Sequence, residues 1–139
     1  MSRLPEQLAW DAFKRASVKS NVAFWRIENL HGDGMSDVYA MNMHGTSAWM
    51  EFKALETWPV RNTTCPLKGA FEPGQIPFLQ TIASRKGNAW VVLRVGKDDW
   101  SFIPPHCGGK RPDELTQLEI RSYNIALTLK HFLIMLEDL

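Results

Sequence analysis

Asp37-Val38-Tyr39-Ala40-Met41-Asn42-Met43-His44-Gly45-Thr46-Ser47-Ala48-Trp49-Met50-Glu51-Phe52-Lys53-Ala54 is the stretch whose reading decides the fold. Two apolar-rich runs, over residues 37–43 and 48–54, flank His44-Gly45-Thr46-Ser47, and that connector has the length and the glycine of a hairpin turn. Side chains alternate along a strand, so Trp49, Glu51 and Lys53 share one face of the second run while Met50, Phe52 and Ala54 share the other.

Working outward, Pro5 suits a first helical turn, and Leu8, Ala9, Ala12 and Phe13 recur at helical spacing, which predicts a helix over 5–16. Val22 to Glu28 is rich in β-branched and aromatic residues and reads as a strand, with a turn-rich loop over Asn29 to Gly34. Beyond the hairpin, Pro59, Pro66, Gly69, Pro73 and Gly74 punctuate a long loop from Glu56 to Gly74, and loops of that length are often functional. A second helix is expected over 75–85, with Ile76, Leu79, Ile82 and Ala83 as its apolar stripe and Gly87-Asn88 ending it. Residues 89–95 read as a buried strand, paired across Gly96-Lys97-Asp98-Asp99 with a short strand over 100–103. In the tail, Ile125, Leu129, Phe132, Leu133 and Leu136 suggest one helix capped by Ser122, packed on the body or on another subunit. The order is helix, three strands, long loop, helix, two strands, helix: an α/β fold in one domain over 1–139, with a core at about 5–104 and a helical extension at about 112–139.

Composition narrows the classes. At 139 residues the chain can bury a core without staples, and its formal charge of +1 lacks the strongly basic footprint of a tight nucleic-acid binder. An acidic metal site offsets basic residues elsewhere, so a local patch matters more than the sum. Cys65 and Cys107 stand far apart, with no secretory leader and no long apolar span, and suggest a reduced, intracellular, cytoplasmic setting. His106-Cys107 has no CxxC partner, so buried or bystander thiols explain the cysteines better than a metal pair.

The hairpin can bring Asp37, at the start of its first strand, alongside Glu51. Two adjacent carboxylates make a hard oxygen site suited to Mg²⁺ or Mn²⁺, an ion that polarises a phosphoryl oxygen and acidifies a bound water. Lys53, beside Glu51, can orient that water or stabilise the charged transition state. A lone Glu-x-Lys is weak, since it arises by chance in about half of chains of this length, and on a surface strand it is an ion pair worth only ~0.5 kcal/mol. Its company lifts it: a Gly-x-x-Asp entering one strand, a hairpin, then a strand whose remaining positions are apolar.

Gly34-Met35-Ser36-Asp37-Val38 followed by Trp49-Met50-Glu51-Phe52-Lys53-Ala54 resembles the core motif of the PD-(D/E)xK nuclease superfamily. With Arg26-Ile27-Glu28-Asn29, the pattern is similar to the virus-type replication-repair nucleases (VRR-NUC) and Holliday-junction-resolvase-like endonucleases of bacteriophages, over about Glu6 to Ile103. The resemblance implies a restriction-endonuclease-like fold, Asp37 and Glu51 as metal ligands and Lys53 as a catalytic lysine. It implies further that Glu6 completes the metal site from the first helix and that Gln75, opening the second, belongs to the catalytic set. Ser36 stands where the family usually has proline, and the segment between Lys53 and Gln75 is longer than the family's.

Glu6 reads equally as an acid favoured by the helix dipole, Glu28 is an alternative extra acid, and Gln75 can simply solvate a helix start. His31 and Asp33, near the acids in sequence, read first as loop residues. Trp10, Trp25, Trp49 and Trp90 lie in periodic segments and are expected to fill or flank the core. Trp58 in the long loop is the tryptophan best placed for DNA contact, with Arg61, Lys68, Arg85, Lys86, Lys110 and Arg111 as phosphate contacts or solvated charges. The expected activity is Mg²⁺- or Mn²⁺-dependent hydrolysis of branched DNA by a homodimer. The alternatives are a non-catalytic nucleic-acid-binding or assembly protein on the same fold, favoured by the near-neutral charge, and a sequence-specific restriction-like enzyme.

Overall fold

The computed structural model describes residues 3–27 and 38–139. Its elements are α1 (Arg3–Ala16), β1 (Ala23–Arg26), β2 (Val38–Met41), β3 (Ser47–Leu55), α2 (Gln75–Ser84), β4 (Asn88–Val95), β5 (Asp99–Ile103), α3 (Gln117–Tyr123) and α4 (Leu129–Asp138), with 3-10 turns at Ser17–Lys19 and Pro112–Glu114. The five strands form one mixed sheet in the order β1-β2-β3-β4-β5, flanked by helices. Every neighbouring pair is antiparallel except β3 and β4, which run parallel across the crossover that contains α2.

The hairpin forms where its sequence predicts. Asn42 Oδ1 accepts the His44 and Thr46 backbone N–H groups, and Gly45 takes the positive φ the turn requires. The alternation along β3 divides two cores. Ala48, Met50 and Phe52 join Ala9, Trp10 and Phe13 of α1 and Phe132, Leu133 and Leu136 of α4 on one side. Trp49 and Leu55 pack on the other with Leu79 of α2, Val91 and Leu93 of β4 and Ile120 of α3. Phe13 is the hub of the first core, edge-on to both Phe24 and Phe52 at ring separations of 5.2 and 5.1 Å, a geometry that matches positive ring edge to negative ring face.

Four expectations are corrected. Leu8 is 51% exposed, and Trp10 joins Ala9 and Phe13 in the buried stripe of α1 in its place, because burying the larger indole removes more apolar surface from water. Helix α2 ends with Lys86, not Gly87, in the left-handed conformation, while the Gly87 N–H closes on Ile82 O. A Cβ at Gly87 would stand 2.6 Å from Ile82 Cγ2, so this glycine serves close packing. The tail holds two helices rather than one: Thr116 caps α3 in a reciprocal box with Glu119, Thr128 caps α4, Ser122 lies inside α3, and Ile125 lies between the two with its N–H on Phe102 O. Finally, Trp25 is 50% exposed on β1 and does not fill the core.

The long loop from Glu56 to Gly74 carries no helix or strand and is pinned from within. Leu67 is buried in the second core, Trp58 Nε1 donates to Asp99 at 2.7 Å, and Cys65 Sγ lies 3.4 Å from Glu114 O. At the other end of the chain, buried Asn42 donates through Nδ2 to the carbonyls of Leu136 and Leu139, which ties α4 to the hairpin turn. Among the described residues no helix is long and apolar enough to cross a membrane.

Candidate active site

Pairing of β2 with β3 runs from Met41↔Ser47 to Val38↔Met50, whereas β3 pairs with β4 through Leu55↔Val95. Among the described residues, Glu51 to Leu55 are therefore paired on the β4 side alone, and the polar cluster assembles at this step in the sheet. Glu51 and Lys53, two positions apart and so on one face, are 1% and 6% exposed. Lys53 Nζ lies 3.6 Å from Glu51 Oε2 and 3.2 Å from Glu6 Oε1. Glu6 comes from the first turn of α1, whose Ala9 and Phe13 pack on the opposite core, so Lys53 joins side chains from both layers.

Gln75, the first residue of α2, completes the connection. Its Nε2 donates to Glu51 Oε2 at 3.1 Å, and its Oε1 accepts from Lys53 Nζ at 3.3 Å and from the Glu72 N–H at 2.9 Å. Gly74, with φ +98°, makes the left-handed turn that starts the helix there. The Phe71 ring lies beneath Lys53 with its centroid 4.9 Å from Nζ, an attraction between ammonium and ring face that strengthens as water is removed. A buried ammonium is costly unless it is paired and hydrogen-bonded, and Lys53 has two carboxylates, an amide oxygen and an aromatic face.

The structure thus brings Glu6, Glu51, Lys53 and Gln75 together. Asp37, Glu28, His31 and Asp33 lie outside the described residues; Val38, the covalent neighbour of Asp37, is the partner of Met50, the covalent neighbour of Glu51. The other expected residues are elsewhere. Trp58 gives its indole N–H to Asp99, and the Arg121 guanidinium stands over its ring at 5.1 Å. Arg61 and Lys68 are exposed on the long loop, and Arg85 and Lys86 at the C-terminal end of α2. Lys110 and Arg111 are paired with Glu119 and Asp113. Sequence reasoning missed Phe71 and the Glu72 backbone N–H; the available signal was an aromatic residue within the Pro/Gly-rich run just before α2.

Cys107 is buried, its Sγ 3.1 Å from Pro104 O, and burial together with nearby Glu119 pushes its thiol up to about 11. It is a neutral packing group. His106 is exposed and faces Ser84 and the Gln80 carbonyl.

No family model matches the chain, and no curated protein matches it either. Among solved structures it is similar to Hjc, a Holliday junction resolvase from the archaeal hyperthermophile Archaeoglobus fulgidus, at 19% identity over 73% of each chain and a TM-score of 0.45. At that identity and score the likeness carries no argument about activity or substrate, which rest on the side chains.

Proposed function

We propose that this chain is a metal-dependent DNA endonuclease of the PD-(D/E)xK type that hydrolyses phosphodiester bonds in branched DNA during replication, recombination or repair. The observation that supports it is one buried lysine held between two carboxylates and an amide contributed by α1, β3 and α2. That arrangement exceeds what a surface ion pair needs. A fold that required only a neutral core here could place apolar residues at less desolvation cost.

The donor chemistry fits a hard divalent cation. Glu6 and Glu51 supply only oxygen atoms, and two formal carboxylates against one ammonium leave an excess of negative charge around Lys53. Among the described residues no three acidic, histidine or cysteine side chains cluster as a complete cage, so the reading assigns the third ligand to Asp37. When bound, Mg²⁺ or Mn²⁺ supplies Lewis acidity toward the phosphoryl group and a water of lowered pKa. Lys53 places positive charge where the phosphoryl oxygens gain negative charge, in a site where burial weakens screening by water. Gln75 fixes Glu51 and Lys53 relative to each other, and Phe71 walls the ammonium off from solvent. Cutting two strands of a junction takes two such sites, so the working unit of this reading is a homodimer.

Incubation with labelled four-way junction, flap and linear duplex in Mg²⁺, Mn²⁺ or EDTA tests the reading. Metal-dependent cleavage of the branched substrates is expected, lost in Lys53→Ala and Asp37→Ala. Cleavage of none of them, or cleavage unchanged in both variants, overturns it, and cutting confined to one sequence in linear duplex would mark a restriction-like enzyme.

A further inference from the structure

Beside the polar cluster runs a row of aromatic rings. The strand registers place Trp25 of β1 opposite Tyr39 of β2, and Tyr39 opposite Trp49 of β3. The ring centroids are 5.9 Å apart for Trp25 and Tyr39 and 4.7 Å apart for Tyr39 and Trp49, and Phe78 of α2 closes the inner end edge-on to Trp49 at 5.4 Å. Trp49 is two positions before Glu51, so the row shares the sheet face of Glu51 and Lys53 and begins about 7 Å from Glu51 along β3. It then extends about 10 Å across two strand spacings to Trp25. Burial falls along the row: Trp49 and Tyr39 are partly covered, and Trp25, on an edge strand, is half exposed.

A tryptophan on a strand normally ends up covered, because its large apolar surface drives burial. Here the row is open at the outer end and joins the candidate active site at the inner one. We propose that Trp25 and Tyr39 form a stacking platform for unpaired nucleobases, one to three nucleotides from the phosphate at Lys53, and so select substrates with unpaired bases beside the cleavage point. The proposal rests on the nuclease reading for its location. The chemistry of the occupant follows from the surface: π faces receive bases of any identity, and unpaired bases expose theirs while duplex bases do not. Continuity with a site suited to phosphate favours a nucleic-acid strand over a protein partner.

The test is equilibrium binding in EDTA, where no hydrolysis occurs, so it is independent of whether the chain cuts. Fluorescein-labelled (dT)8, the same oligomer with abasic sites, and a blunt duplex are titrated with the full chain and with Trp25→Ala, Trp25→Phe and Tyr39→Ala. We expect (dT)8 to bind more tightly than its abasic counterpart, about tenfold weaker binding of (dT)8 by Trp25→Ala, and recovery of most of that loss in Trp25→Phe. Equal affinity for (dT)8 and the abasic oligomer, or an unchanged Kd in a folded Trp25→Ala, overturns the platform. So does a wild-type dimer, measured by sedimentation without DNA, that dissociates in Trp25→Ala while its (dT)8 affinity is unchanged, since the row is then a contact between copies. Loss of (dT)8 binding in Trp25→Ala, in a protein that never cuts DNA, keeps the platform and removes the nuclease reading instead.

Discussion

The side-chain amide of Gln75 donates to the Glu51 carboxylate at 3.1 Å and so joins the start of α2 to the centre of β3. The same amide accepts from Lys53 and from the Glu72 backbone, so under the nuclease reading Gln75 acts as a positioning residue. Gln75→Ala is expected to lower the rate of metal-dependent cleavage by about 10- to 100-fold, the usual cost of losing a group that orients a ligand. Gln75→Glu keeps the acceptor for Lys53 and Glu72 but loses the donor to Glu51, and should recover less than half of that loss on a logarithmic scale. Single-turnover kinetics on the preferred substrate measure both, and a wild-type rate in Gln75→Ala would sink the assignment.

Removing the lysine charge has an effect legible without any substrate. In Lys53→Met, Glu6 and Glu51 lose their shared counter-ion, and breaking a buried pair of this kind costs about 3–5 kcal/mol. Thermal melting in EDTA should therefore show a lowered Tm. Saturating Mg²⁺ should raise the Tm of this variant by more degrees than that of the wild type, because the ion then supplies the missing positive charge. An equal or smaller gain would argue against Glu6 and Glu51 as metal ligands.

Asn42→Ala probes the tie between the hairpin and the C-terminus. The substitution removes bonds to the Leu136 and Leu139 carbonyls and to the His44 and Thr46 N–H groups. A loss of about 2–4 kcal/mol is expected in urea denaturation, with faster amide exchange concentrated in α4. Uniform exchange across the chain would show that this residue does not hold the helix.

The two thiols should differ in reactivity. At pH 8 iodoacetamide should alkylate the partly exposed Cys65 and spare Cys107, whose thiol is buried and held neutral with a pKa pushed up to about 11. Because the folded pKa lies above the ordinary value of 9.0, the contribution of Cys107 to stability is complete below pH 9 and is lost as pH climbs toward 11. Cys107→Ala should flatten that alkaline decline, which denaturation at pH 8 and pH 10.5 would reveal.

The order of elements from α1 to β5 is legible in the sequence because period-two alternation at β3 and dense turn chemistry around it agree with one another, while the restriction-endonuclease-like arrangement came from the resemblance. Adjacency of Glu51 and Lys53 follows from the same period, while the approach of Glu6 and Gln75 is long-range and came from the resemblance. Local pattern failed where side-chain size or redundancy decides. Leu8 and Trp10 compete for one stripe and the indole wins, and Ser122 is as good a cap by type as Thr116 or Thr128. Trp25 looks like a core residue by composition, but its strand lies at the sheet edge, a fact of topology that no window of sequence contains. Phe71 reaches Lys53 only through the fold of the long loop.

The parallel β3–β4 pair also has a kinetic meaning. Glu6, Glu51, Lys53 and Gln75 all precede β4 in the chain, yet beyond Met50 it is β4 that pairs with the part of β3 carrying Glu51 and Lys53. A nascent chain that has reached the end of α2 thus contains every residue of the cluster without the strand that holds it, and the crossover must close before parallel pairing repays the entropy of the long connection. The polar cluster is therefore held in its sheet only after β4 has emerged during synthesis, and under the nuclease reading a chain released before β4 would be inert.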